Sequence, residues 1–306
     1  MKNTNSNFQI KRAMEYPSSG AVVDGELRHF IDSDLVNRPY KEEIMNFGLE
    51  KKKAIVMASS KGLGKATARL LAMEGCMVSI CGRDNEMLRK TAAEIETESG
   101  QTVFYDTADV GDSASLHRFI DRAIDTMDGV HILVTNAGGP PVKGFAETTD
   151  EEWHHWYDIT FMSVVRAIRR VLPEMEGQSW GRIINITSVS VKAPVENLIY
   201  SNALRMAVVG LAKTLSNELG PKGITVNNVA PGYHLTDGLE RIVRKKTEQG
   251  MKREKVLSDW SDKLPVRRIG MPQDLAGLIT FLASEHSAYM TGTTIQVDGG
   301  GYPGTL

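Results

Sequence analysis

The sequence predicts an α/β protein: a single doubly wound domain with a parallel sheet, preceded by an N-terminal arm. Three observations carry this. From residue 54 onward, apolar runs of strand length alternate with amphipathic stretches of helical period. Strands separated by helices are βαβ units, whose sheet is parallel and covered on both faces. Residues 1–52 lack that rhythm; they are polar, weakly periodic and broken by the turn-rich "YPSSG". The arm is therefore read as residues 1–52 and the domain as residues 53–306. Whether the arm is disordered or packs on a neighbouring subunit is left open.

The elements follow in order. "AIVMA" (54–58) is the first strand and "GKATARLLAMEG" (64–75) the first helix. "MVSIC" (77–81), "DNEMLRKTAAEIETES" (84–99) and "TVFYD" (102–106) continue the alternation, then "SLHRFIDRAIDTM" (115–127) and "VHILVTN" (130–136). A long helical stretch, 150–175, opens on "TTDE", where Thr148 and Glu151 have capping-box spacing. "GRIINITS" (181–188), a helix over 200–219 and "ITVNNVA" (224–230) come next. Pro272 suits the first turn of the last helix, and "TTIQVDGG" (293–300) closes the sheet.

Bulk properties narrow the function classes. The chain has 306 residues, 41% hydrophobic and 24% charged, which is ordinary globular composition. Its formal net charge of −2 advertises neither nucleic acid nor an anionic membrane as partner. The two cysteines, Cys76 and Cys81, have no framework spacing and read as free thiols of a reducing compartment. The N-terminus lacks the apolar core of a signal peptide. No apolar run approaches the roughly 20 residues that cross a bilayer. A soluble, cytoplasmic protein is expected.

The chemistry-bearing motifs sit where strands end. "ASSKGLG" (58–64) follows the first strand and opens the first helix. Glycines let backbone approach a diphosphate there, with helix amides pointing at it; the plainer reading is a tight strand–helix turn. The second strand ends in Gly82-Arg83 rather than in a ribose-binding carboxylate. Arg83 and Lys61 are thus either two cations for a 2′-phosphate or two solvated surface charges. Asp109-Val110, "TNAGG" (135–139), Ser188 ahead of Tyr200, "NVAPGYHLT" (228–236) and "VDGG" follow in turn. His154 and His155 are adjacent, hence about 100° apart on a helix, and no further ligand is placed to complete a metal site, so no metal is expected. The charged stretch 241–255 reads as a solvated helix face.

In this order, these motifs make residues 53–302 resemble the short-chain dehydrogenase/reductase family, nearest to bacterial members similar to 3-oxoacyl-(acyl carrier protein) reductases. The tail "LPVRRIGMPQDLAGLITFLASEHSAYMTGTTIQVDGG" carries much of the likeness. The resemblance implies a Rossmann-like fold, a nicotinamide cofactor and a homotetramer. It implies that Ser60, Lys61, Gly62, Leu63 and Gly64 cradle the diphosphate, with Arg83 at the adenosine ribose and Asp109 and Val110 at the adenine. Asn136, Ala137 and Gly138 would flank the ribose and nicotinamide, and Pro231, Gly232 and Thr236 would line the carboxamide. Ser188 would bind the substrate oxygen. Tyr200 would contact the cofactor and pass the proton.

Four positions depart from the family pattern. The Thr-Gly that starts its glycine turn is Met57-Ala58, its Asn in the long helix is Thr160, and its Lys four residues beyond the Tyr is Leu204. The segment from Ser188 to Tyr200 is also one residue short. In the family that lysine holds the cofactor ribose and lowers the tyrosine pKa. Arg205, a further 100° around the helix, does not simply substitute for it. A phenol left near pKa 10 is ionised to about one part in a thousand at pH 7, a poor base but an adequate acid. These residues point to NADP(H)-dependent reduction of a ketone or 3-oxoacyl carbonyl. The alternative is a non-catalytic, nucleotide-binding regulator or partner subunit. Apolar positions on helices 151–176 and 199–220, among them Trp156, Phe161, Met206 and Val209, would pair the subunits.

Overall fold

The computed structural model describes residues 46–305. Seven strands form one parallel sheet in the order β3-β2-β1-β4-β5-β6-β7, so chain order reverses between β1 and β4. They are β1 (Lys53–Val56), β2 (Met77–Gly82), β3 (Val103–Thr107), β4 (Ile132–Thr135), β5 (Gly181–Ile186), β6 (Ile224–Pro231) and β7 (Thr294–Val297). Val56 lies in register with Ile80 on one side and Val134 on the other. The turns leaving β1, β2 and β4 therefore emerge side by side at the carboxyl edge, where open α/β sheets bind ligands.

Nine α-helices are seen among the described residues: α1 (Gly62–Met73), α2 (Asn85–Ser99), α3 (Ser113–Met127), α4 (Asp150–Tyr157), α5 (Ser163–Gly177), α6 (Ile199–Leu219), α7 (Asp237–Glu248), α8 (Arg253–Ser261) and α9 (Pro272–Ala283). Two apolar layers sandwich the sheet, as a parallel sheet covered by helices on both faces requires. One is formed with α3, α5 and α6 around Phe119, Ile168 and Val208. The other is formed with α1, α2 and α9 around Leu71, Leu88 and Ile279. A buried polar chain also crosses the sheet. Thr135 donates to Asn185 (2.8 Å), Asn185 to Asn228 (3.0 Å) and Asn228 to Thr294 (3.1 Å), so each group finds a partner.

Two local expectations are corrected. The capping residue of α4 is Thr149, whose hydroxyl accepts from the Glu152 amide; Thr148 instead donates to the Phe145 carbonyl and accepts from the Trp153 indole. The packed domain also begins before residue 53, because Leu49 is buried in the α1–α2–α9 layer and Phe47 packs against it. The rest of the proposed arm, residues 1–45, lies outside the described residues. Pro272 stands in the first turn of α9 as expected. Cys76 and Cys81 are both free and buried. No helix among the described residues is long and apolar enough to cross a membrane.

Candidate active site

The turn after β1 is shaped by backbone demands. Gly62 has φ +61°, and a Cβ on Gly64 would lie 2.7 Å from the Ala58 carbonyl and 2.8 Å from Ser59 Cα, so only glycine lets α1 approach the strand this closely. Leu63 packs partly buried against the α1–α2–α9 layer. Ala58 itself holds φ +46°, the left-handed region where the family pattern has glycine. The Asn136 side chain donates to the Ala58 carbonyl (3.0 Å), tying the turn after β4 to the turn after β1. Beneath them the Ser59 amide donates to the Cys81 carbonyl (2.8 Å) and the Ala58 amide to its thiol (3.4 Å). Burial pushes both cysteine thiols up to about 12, so neither is a nucleophile at neutral pH.

At the end of β2, Gly82 sits against Ser60, whose Oγ would be 3.0 Å from an added Cβ. Arg83 is exposed next to it. The adjacent acid, Asp84, is turned away because its carboxylate caps α2 by accepting from the Met87 amide (3.0 Å). Lys61 differs from expectation. Its ammonium pairs with Asp237 at the start of α7 (2.6 Å), both ends exposed, instead of standing free beside Arg83. Asp109 accepts from the Gly111 amide (2.9 Å) at the end of β3, with Val110 buried beside it. Ala137 is partly buried against the core and Gly138 is open, with nothing within 4 Å of an added Cβ. Gly232, next to Pro231 at the end of β6, lies against Asp298, where a Cβ would fall 2.7 Å away. Thr236 caps α7 by accepting from the Leu239 amide (3.3 Å).

The other side of the edge differs most from the sequence reading. Helix α6 turns Ser201, Arg205, Val208, Ala212, Ser216 and Leu219 toward the sheet, a single face at spacings of three and four. Tyr200 lies one position off that face. It is fully buried, and its phenol donates to Glu152 Oε2 (2.8 Å). The other oxygen of Glu152 binds the Lys143 ammonium (2.5 Å), and Trp153 meets the Tyr200 ring edge-on at 4.7 Å. Burial first, then the Glu152 carboxylate, raises the Tyr200 pKa; Lys143 and then Tyr200 hold that of Glu152 down. The phenol of Tyr200, expected to pass the proton, is thus engaged with a carboxylate and covered in this structure.

Arg205, set aside in the sequence reading, is the side chain turned into the site. Its guanidinium donates to the Ile186 carbonyl (2.9 Å) and lines a narrow cavity with Thr135, Asn136, Ala137 and Thr160. That cavity holds about 10 Å³, roughly the room of one water. Burial draws the Arg205 pKa down to about 10, which leaves it charged at neutral pH. Thr160 lies in a π-helical turn, Asp158–Met162, between α4 and α5, and its buried hydroxyl has no partner. Such turns often mark functional positions. Ser188 accepts from the Ser190 amide (3.1 Å), and the Ser190 hydroxyl meets that of Ser201 at 3.0 Å. The signal for Arg205 was present in the sequence. The segment that ends one residue short at Tyr200 has full length at Ser201, and Arg205 follows four residues later.

A nucleotide would find a fitting donor set here: a glycine turn that admits no side chain, the amides of α1, and a buried cation and hydroxyl with unused hydrogen-bonding capacity. The comparisons agree in kind. The family model described as enoyl-(acyl carrier protein) reductase matches residues 57–301. A putative ketoacyl reductase of the monensin polyketide synthase from Streptomyces virginiae is 36% identical, over 81% of this chain and 95% of its own. L-Sorbose reductase from Gluconobacter frateurii, solved with NADPH and L-sorbose, superposes with a TM-score of 0.81 at 28% identity, covering 84% of this chain and 98% of that one. An NADPH-bound short-chain oxidoreductase from Pseudomonas aeruginosa PAO1, described as containing an atypical catalytic center, superposes at 0.75 with 31% identity, over 84% and 100% of the two chains. The chain belongs to the short-chain dehydrogenase/reductase family, and its sheet and helices are the Rossmann-like fold of that family.

Proposed function

We propose that the protein is an NADP(H)-dependent reductase that converts a ketone or 3-oxoacyl carbonyl to a secondary alcohol. The observation that carries the cofactor choice is the end of β2, where Arg83 is exposed next to Gly82 and the carboxylate of the adjacent Asp84 is spent on a helix cap. The NADPH seen in related structures supports the same choice. When bound, the reduced dinucleotide supplies a hydride to the carbonyl carbon. The carbonyl π electrons then pass to oxygen, which takes a proton drawn from solvent. In this reading Ser188 donates a hydrogen bond to the carbonyl oxygen and orients it, while Asn136 and Ala137 bound the reacting end of the cofactor. The neighbours' substrates, a sugar ketone and, by name, a ketoacyl group, support the carbonyl class. The partly or fully exposed apolar side chains Tyr157, Phe161 and Met206 on the long helices suit the pairing of subunits in a homotetramer. The composition and buried free thiols fit the cytoplasm.

Cofactor dissociation constants test this directly. NADPH is expected to bind the unmodified protein at least tenfold tighter than NADH. Arg83→Ala should remove about 1.5–3 kcal/mol of NADPH binding, the range of a charged hydrogen bond, and leave NADH within twofold. Equal affinities in the unmodified protein would refute the cofactor assignment. The engaged phenol of Tyr200 favours the second reading, a nucleotide-binding protein without turnover. Tight NADPH binding with no oxidation across a panel of ketones and 3-oxoacyl thioesters would select it.

A further inference from the structure

The segment that leaves β6, residues 232–236, is held by backbone on two sides. The Gly232 amide donates to the Val297 carbonyl (2.9 Å), the Gly270 amide to the Tyr233 carbonyl (2.9 Å) and the Leu235 amide to the Gly270 carbonyl (2.8 Å). Helix α7 starts where the segment ends. The Thr236 methyl lies 3.5 Å from a Cβ built on Gly62, and Asp237 pairs with Lys61, so the base of α7 stands over the β1 turn. Tyr233 stacks on Trp260 with ring planes 6° apart and centroids 5.1 Å apart, so α8 rests on the same segment. In the middle of it His234 is buried, only 4% exposed. Resting on the nucleotide-dependent reading above for its consequence, we propose that His234 is a positioning residue: its neutral imidazole pins the base of α7 over the β1 turn, and its protonation releases that pin.

Three observations support the assignment. The ring makes one hydrogen bond, from Nδ1 to the Gly232 carbonyl (3.2 Å); a carbonyl only accepts, so Nδ1 carries the hydrogen and Nε2 is bare in the neutral ring. Nε2 is buried and has no partner. The ring also lies so close to Gly270 that an added Cβ would fall 3.0 Å from both Nε2 and Cδ2. A proton on Nε2 therefore creates a buried cation whose new N–H meets no acceptor, which costs far more than a buried lone pair.

The charged groups around the ring do not rescue the cation. From the first turn of α9, Asp274 is held by both nitrogens of the Arg268 fork and accepts from the Met271 amide. From the chain after β7, Asp298 accepts from the Gly300 and Tyr302 amides. Neither bonds the imidazole. Burial holds the His234 pKa below the ordinary histidine value; the Gly232 carbonyl, Asp274 and Asp298 pull it up, and Arg268 pushes it down. A ring that is harder to protonate when pinned than when free favours the pinned state at high pH. The pin is thus full above about pH 6.5, the free imidazole value, and is lost as pH falls below it.

The test compares the full-length protein with His234→Asn, whose amide can still donate to the Gly232 carbonyl but does not titrate, and with Gly270→Ala, whose methyl displaces the ring. Amide exchange over residues 235–248, corrected for intrinsic rates, and NADP⁺ dissociation constants are measured at pH 7.5 and 5. Between these values the parent is expected to speed exchange and to weaken NADP⁺ about fivefold or more beyond the change seen in His234→Asn; the variant cancels the titration of the 2′-phosphate itself. Gly270→Ala should show the fast exchange already at pH 7.5. The imidazole of His234, followed by NMR, should titrate below pH 6.5. Identical pH dependence in parent and His234→Asn overturns the proposal, as does a His234 that titrates at or above the free value. If His234→Asn does not fold, Gly270→Ala decides: parent-like exchange at pH 7.5 overturns the pin. A parent that binds no NADP⁺ overturns the nucleotide reading, and the exchange difference, which needs no ligand, then decides the pin alone.

Discussion

The turn after β1 and the first two turns of α6 lie at the same edge of the sheet, yet they are specified in different ways. In the β1 turn, the backbone sets the requirement: the Gly64 position admits no Cβ, Gly62 sits at positive φ, and amides of the turn bond to Cys81. In α6, any residue fits the helix, and what matters is which side chain the helix turns toward the sheet. Changing the connection by one residue rotates the functional face by about 100° without disturbing the fold. A glycine requirement is therefore visible in any sequence that meets it. A helix register is visible only when the residues before it are counted.

The comparison is broken most strongly by alkali. Cys81 supports the β1 turn and Cys76 lies just ahead of β2, donating to the Leu49 carbonyl; both thiols are pushed up to about 12 by burial. In the unfolded chain they ionise near 8.5. The unfolded state then loses protons first, so the stability is full below pH 8.5 and is lost as pH rises toward 12. Each thiol should remove roughly 1.4 kcal/mol per pH unit across that window. Urea midpoints at pH 7, 9 and 10 measure it, and Cys81→Ala should show a shallower slope than the parent. A flat profile to pH 10 would show that the thiols do not hold this side of the sheet.

A smaller effect sharpens the contrast between glycines of similar appearance. Gly64→Ala places a methyl 2.7 Å from a backbone carbonyl, which cannot move aside cheaply. It should cost about 1–3 kcal/mol of stability, the range for overpacking. Gly138→Ala meets nothing within 4 Å and should stay within about 0.5 kcal/mol. Thermal midpoints of the two apo variants decide the matter. Similar values would mean that the β1 turn relaxes as easily as the loop after β4.

What could be read in the sequence follows the same division. The seven strands, the helices between them and the nucleotide-type turn were legible because apolar periodicity and glycine placement are local consequences of burial and backbone geometry. The pairing of Lys61 with Asp237 was not, because it joins residues 176 positions apart through two exposed side chains, and nothing in a local pattern announces such a contact. The links from Tyr200 to Glu152 and from Glu152 to Lys143 were hidden for the same reason. Arg205 was partly legible. The short spacing to Tyr200 was visible, but its meaning depended on which helix face meets the sheet. The face itself shows in the buried series Ser201, Arg205, Val208 and Ala212.

The smallest expected effect tests how far backbone demand alone explains the β1 turn. Ala58 holds φ +46°, and the left-handed region costs an alanine about 1–2 kcal/mol. Ala58→Gly removes that strain. It also gives the unfolded chain more freedom, which costs about 0.4–1 kcal/mol. The side chain is only partly buried, so little packing is lost with the methyl. The difference leaves a net gain of about 0.5–1 kcal/mol, which for a domain of this size is a rise of a few degrees in thermal midpoint. The same variant carries a functional readout. If the strain holds the Ala58 carbonyl toward Asn136, relieving it should loosen that tie and weaken NADPH slightly while the protein becomes more stable. A fall in the midpoint, with unchanged NADPH affinity, would show that the alanine methyl packs better than its φ angle suggests and that the turn stores no strain.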